Sequence, residues 1–215
     1  MTISRRIALG QIGARAALVP LAGSLLLSGK ALAAPVPTPL TSIGPFYPVA
    51  RVAEEDGDLT LIGDGKRAEG QVIEIVGRLR DGKGQPLGKS RIEIWQANAV
   101  GRYSHVGDAN PRPLDPGFQG FGAVVTDATG NYRFVTIMPG AYPIGGDNIR
   151  PPHIHFDIVG RNDRLITQML FPGDPLNDTD PVLANVDRKL LIAADRGKMT
   201  NGARRYEWDI ILRNG

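Results

Sequence analysis

With 215 residues, 42% of them hydrophobic and no cysteine, the chain is long enough to bury a core without disulfides, and thiolate chemistry is excluded. Its formal net charge of +3 rests on residues 1–33, where Arg5, Arg6, Arg15 and Lys30 stand without an acid; removing them leaves −1. The remainder has no overall basicity that would argue for nucleic acid.

Residues 1–33 read as a twin-arginine-type signal peptide. Ser4-Arg5-Arg6-Ile7-Ala8-Leu9 sets paired arginines ahead of an uncharged run at 16–29, and Ala31-Leu32-Ala33 offers small residues for cleavage after Ala33. That run is 14 residues long and broken by Pro20 and Gly23, short of the ~20 residues a membrane span needs. An exported protein, periplasmic or extracellular, is therefore expected, with no stable membrane insertion after processing.

Residues 34–70 are rich in Pro and Gly, include Gly44-Pro45-Phe46-Tyr47-Pro48 and keep no helical period, so they read as an extended N-terminal arm. From 71 to 215 a single domain is expected, with short β-type runs at 72–79, 91–96, 123–126, 132–138, 153–159 and 165–171. Asp81-Gly82-Lys83-Gly84 and Asp127-Ala128-Thr129-Gly130-Asn131 supply turns between them. In the run 91–96, Ile92 and Ile94 share one face while Arg91, Glu93 and Trp95 share the other, as on a strand packed on one side. A helical turn is expected at 180–186, with late strands at 189–193 and 205–212. Several strands without long helices predict an all-β fold, a two-sheet β-sandwich with irregular loops carrying the site.

Two phenols and two imidazoles stand out as donors. His153 and His155 lie two apart on one predicted strand, so both imidazoles leave the same face and Ile154 the opposite one. Tyr103 and Tyr142 each follow a turn. A phenol with an ordinary pKa near ~10 is held as phenolate at neutral pH only by a strongly charged, hard cation, and the combined set points to Fe(III). Taken singly, the histidine pair also reads as a zinc pair or as solvent-facing imidazoles, and each tyrosine as a core residue. His105 completes the three histidines and reads as structural or pocket-lining.

Five stretches resemble the intradiol ring-cleavage dioxygenases: Glu93-Ile94-Trp95-Gln96-Ala97-Asn98, Gly101-Arg102-Tyr103, Pro139-Gly140-Ala141-Tyr142-Pro143, Arg150-Pro151-Pro152-His153-Ile154-His155-Phe156 and Thr167-Gln168-Met169-Leu170-Phe171-Pro172-Gly173-Asp174. Within that family the iron-binding beta subunit of the protocatechuate 3,4-cleaving branch is the nearest likeness. The resemblance implies a prealbumin-like sandwich and a non-haem ferric ion held by Tyr103, Tyr142, His153 and His155, with Tyr142 and His155 axial. It implies a catechol-type diol and O2 as substrates, protocatechuate or a related compound, and a cis,cis-muconate-type product. Tyr142 would act as ligand and base in turn, Arg150 would stand beside the substrate ring, and Gln168 would support from behind. A homo-oligomer or a second subunit is also implied. The chain departs from protocatechuate-cleaving members at Ile144, where an aromatic residue is usual.

Two other readings are open on the residues. Residues 71–140 also resemble prealbumin-like sandwich modules that bind without catalysis, and a zinc hydrolase could use the same imidazoles. Phenolate-to-ferric charge transfer absorbs visible light, so colour separates the first reading from both of these.

Overall fold

Three apolar series at strand spacing, Ile73 and Ile75, Ile92 and Ile94, then Ile154, Phe156 and Ile158, are wholly buried and meet in one core. The computed structural model describes residues 34–49, 54–63 and 65–215; the expected signal peptide lies outside them. Among the described residues the regular structure is eleven strands and three short 3₁₀ turns. The strands are β1 (Val72–Asp81), β2 (Arg91–Trp95), β3 (Phe121–Val125), β4 (Asn131–Ile137), β5 (Tyr142–Gly145), β6 (Asn148–Arg150), β7 (His153–Val159), β8 (Arg164–Leu170), β9 (Ala194–Lys198), β10 (Arg204–Glu207) and β11 (Ile210–Leu212). The turns span Pro175–Asp178, Pro181–Leu183 and Arg188–Leu190.

The fold is all-β. One sheet runs β3-β2-β7-β8, and a five-stranded sheet is built on β1, which pairs in parallel with β10 and β11 and antiparallel with β4. A separate hairpin joins β5 to β6. The two larger sheets share their core through edge-on rings: Phe134 of β4 lies 6.4 Å from Phe156 of β7, and Phe156 lies 5.1 Å from Trp208.

Chain positions that were expected to be regular change in two places. The run 205–212 divides into β10 and β11, because Trp208 turns its ring onto Phe156 and its carbonyl accepts from the Tyr132 hydroxyl at 2.5 Å. The run expected at 189–193 opens as a 3₁₀ turn, capped by Asp187, whose carboxylate accepts from Lys189 N, and then touches β8 at the single bridge Leu170↔Ile192. Strands β5, β6 and β9 have mostly exposed residues and no apolar alternation, so no strand is expected there from pattern.

The arm lies along both sheets. Thr38 N donates to Ile211 O, Thr41 N to Ile166 O, and Leu59 N to Val135 O, while Leu59 itself is wholly buried in the core. Between those anchors the segment Ser42–Pro48 crosses the end of β7 that carries the two histidines.

Candidate metal centre and cavity

On β7 the register places His155 opposite Trp95 of β2 and opposite Gln168 of β8, so three side chains form a row across one sheet face. The Trp95 indole stacks on the His155 imidazole at 4.8 Å with the rings 9° from parallel. Trp95 is thus buried, and the face it shares with Glu93 is covered at this end by the arm, contrary to a strand packed on one side only. Tyr47 closes over it, with its ring 5.0 Å from Trp95 and its hydroxyl donating to Glu93.

Tyr103 is delivered by a loop that Asn98 organises, its side-chain oxygen accepting from Val100 N and Arg102 N. Gly101 adopts φ +80°, and a Cβ there would lie 2.4 Å from Ala141 O. This close approach draws the Tyr103 loop against the start of β5, where Tyr142 sits. Asp108 then fixes Tyr103 by accepting from its backbone N at 2.7 Å.

The hydroxyl of Tyr142 lies 3.3 Å from His153 Nε2 and that of Tyr103 lies 3.5 Å from the same nitrogen. His153 Nδ1 is 2.7 Å from Pro151 O and donates to it, which leaves the Nε2 lone pair facing the two phenols. The His155 ring is 4.9 Å from that of His153 and 6.4 Å from that of Tyr103, and its buried Nδ1 has no hydrogen-bond partner. Burial and the Arg150 charge push the His153 imidazole down to about 3, and burial, then His153 and Arg150, push His155 well below its ordinary value. Both imidazoles are therefore uncharged at neutral pH, the form that binds a cation. Burial raises both phenols; at Tyr142 the Arg150 guanidinium works against it and favours the phenolate.

Arg150, paired with Tyr142 across the hairpin, is itself buried. Its Nε donates to Asp180 at 3.0 Å and its terminal nitrogen to Gln168 Oε1 at 2.6 Å, while Gln168 Nε2 donates to Ser42 O of the arm. Asp180 escaped the sequence reading, since an Asp before Pro announces only a turn cap. It does cap Val182 N, yet its other oxygen holds the guanidinium. Phe46, 4.6 Å from Tyr103, and Asp108 also left no signal of their own. His105 stands apart from the donor set: its ring meets Phe46 at 5.8 Å and its Nδ1 accepts from Gly107 N.

A cavity of about 350 Å³ opens beside these groups, lined among others by Gly44, Phe46, Tyr142, Ile144, Arg150 and Val182. A second cavity of about 240 Å³ is also lined by Phe46, together with Trp95, Tyr103 and His105.

The donor set suits a ferric ion. Ligand atoms each ~2.0–2.2 Å from one cation stand about 3 Å apart, close to the spacing of the phenol oxygens and His153 Nε2. Among the described residues no three His, Asp or Glu side chains gather, so a cation held here draws on phenols as well as imidazoles.

A family model described as Dioxygenase matches residues 43–214. The protocatechuate 3,4-dioxygenase beta chain of Burkholderia cepacia is 42% identical over 184 residues, covering 79% of this chain and 76% of that one. Catechol 1,2-dioxygenase of Acinetobacter baylyi is 33% identical over 157 residues, 66% of this chain, which spans about half (49%) of that relative's length. Among solved structures, the dioxygenase domain of a carbohydrate-binding fusion protein from Streptomyces sp. SirexAA-E superposes with a TM-score of 0.64 at 25% identity, covering 84% of this chain and 100% of that domain.

Proposed function

Because the chain belongs to the intradiol ring-cleavage dioxygenase family, we propose that it cleaves a catechol-type aromatic diol with O2 between its two hydroxylated carbons, giving a cis,cis-muconate-type diacid. The observation that carries this reading is the convergence of two phenol oxygens on His153 Nε2 beside a cavity walled by Arg150. Tyr103, Tyr142, His153 and His155 would hold a non-haem ferric ion, within what reads as a prealbumin-like two-sheet sandwich. Bound there, the ion supplies a Lewis acid that keeps the diol as its catecholate and lets ring electron density reach dioxygen.

The residues provide the rest. Tyr142, as phenolate, accepts a proton from a diol hydroxyl at its own oxygen, and the adjacent Arg150 charge opposes the burial that raises this phenol. Arg150, held by Asp180 and Gln168, presents a fixed positive charge to the diol oxygens as they lose protons. Gly44, Pro45 and Phe46 of the arm wall the cavity and limit water.

Oxygen uptake by iron-loaded protein against a panel of catechols, with product spectra, tests the proposal. Stoichiometric uptake with a muconate-type product is expected; no uptake with any diol returns the chain to a binding module. Export through residues 1–33 is part of the same reading. Changing Arg5 and Arg6 together to Lys is expected to retain the protein in the cytoplasm, read by cell fractionation. A homo-oligomer or a second subunit completes the proposal.

A further inference from the structure

Glu74, Val76 and Arg78 alternate along β1 with the core residues Ile73, Ile75 and Leu79, so their side chains leave the outer face of the five-stranded sheet. On one side β10 sets Arg205 beside Glu74; on the other β4 sets Arg133 beside Val76. A groove of about 400 Å³ lies on this face, lined by Arg78, Arg133, Arg205, Glu207 and Asp209 among others. None of these residues belongs to the donor set or to the cavity beside it.

Both outer guanidiniums are anchored. Glu74 is buried, and each of its carboxylate oxygens accepts from one Nε, Oε1 from Arg133 and Oε2 from Arg205. A guanidinium held at Nε keeps its terminal nitrogens for other partners, and among the described residues neither side chain makes a further hydrogen bond. The two side chains are 61% and 39% exposed. The carboxylates of the lining are already matched: Glu207 accepts from Arg196, while Asp209 pairs with Arg80 and accepts from Arg78 N. Among these residues Arg78, Arg80, Arg133, Arg196 and Arg205 stand against Glu74, Glu207 and Asp209, an excess of two positive charges. Guanidiniums fixed on different oxygens of one carboxylate present two separate sets of terminal N–H groups. A phosphoryl group offers three oxygens and accepts from both sets, whereas a carboxylate offers two and is matched by a single fork.

We propose that this groove is an oxyanion site for a phosphoryl group, carried by free phosphate or by a phosphate headgroup, with Arg133 and Arg205 as its donors and Arg78 on its flank. The test is calorimetry of the purified protein with inorganic phosphate in a low-salt buffer, which needs no turnover. The parent is expected to bind phosphate saturably, and Arg133→Gln and Arg205→Gln each to weaken binding at least about tenfold. Arg133→Lys keeps a cation on Glu74 without the second arm of the fork, so it is expected to fold as the parent does and to bind at least about fivefold more weakly. Lys83→Gln removes an exposed charge outside the groove lining and is expected to leave binding unchanged. Co-sedimentation with phosphatidylglycerol vesicles, against zwitterionic phosphatidylcholine, separates the sources. Retention that phosphate competes away and the arginine variants lose assigns a lipid headgroup; phosphate binding without retention assigns a soluble phosphate, and either result upholds the site. It is overturned if neither phosphate nor vesicles bind, if folded arginine variants bind as the parent does, or if Lys83→Gln loses as much as they do. Acetate or cis,cis-muconate binding as tightly as phosphate overturns it as well.

Discussion

Gly44 shows how narrowly the site is fitted at the scale of one residue. Its φ of +73° lies in the left-handed region, and a Cβ there would stand 3.0 Å from Cε1 of His155. Gly44→Ala is expected to cost about 1 kcal/mol of stability through the backbone alone and to displace the imidazole. Iron content per chain should fall, and with it the visible absorption, in metal analysis and spectra of the same preparation. At this scale the sequence was informative where chemistry is local: His153 and His155 were placed on one face by spacing alone. Asp180 and Gln168 reach Arg150 across 30 and 18 residues of chain, and no local pattern encodes a contact made by folding. Gln168 was reached through the family resemblance; Asp180 was not.

Strand β1 carries the main prediction at the scale of elements. Its Glu74 is buried and accepts from Nε of Arg133 on β4 and of Arg205 on β10, tying three strands of one sheet. Burial pushes this carboxyl up, but hydrogen bonds from Arg205 and Arg133, with their charges, outweigh it and hold the group below its ordinary 4.5. A group so lowered stabilises the fold fully above its unfolded value and less as pH falls through that range. Glu74→Gln is accordingly expected to destabilise by about 1 kcal/mol at pH 7. The gap to the parent in urea melts should close below about pH 4.5, the ordinary value. Strands with one buried face, such as β1, β2 and β7, were readable because alternation reports burial. The β5–β6 hairpin, which buries Tyr142 and Arg150 but no apolar row, and the largely exposed β9 were not, since a strand without a packed apolar face needs no such alternation.

For the molecule as a whole, the arm is a structural part of the fold. Leu59 sits wholly within the core shared by the two larger sheets, and the hydrogen bonds of Thr38 and Thr41 reach β11 and β8. Leu59→Ala is expected to cost about 2–5 kcal/mol, as for other buried leucines, read as a lower midpoint in urea with an unchanged slope. Composition marks residues 34–70 as an extended arm, and the all-β class follows from strand spacing. Where an extended segment lies is decided by distant partners, which composition does not name.

The parallel stacking of Trp95 on His155 makes the indole an optical gauge of the centre. Of the two tryptophans, Trp208 packs against Phe156 in the main core, while Trp95 lies at 4.8 Å from an expected ligand ring. Titrating ferric ion into stripped protein should dim the emission of Trp95, and Trp208→Phe should leave that quenching in place. Steady emission through a titration that colours the protein would place the ion away from His155.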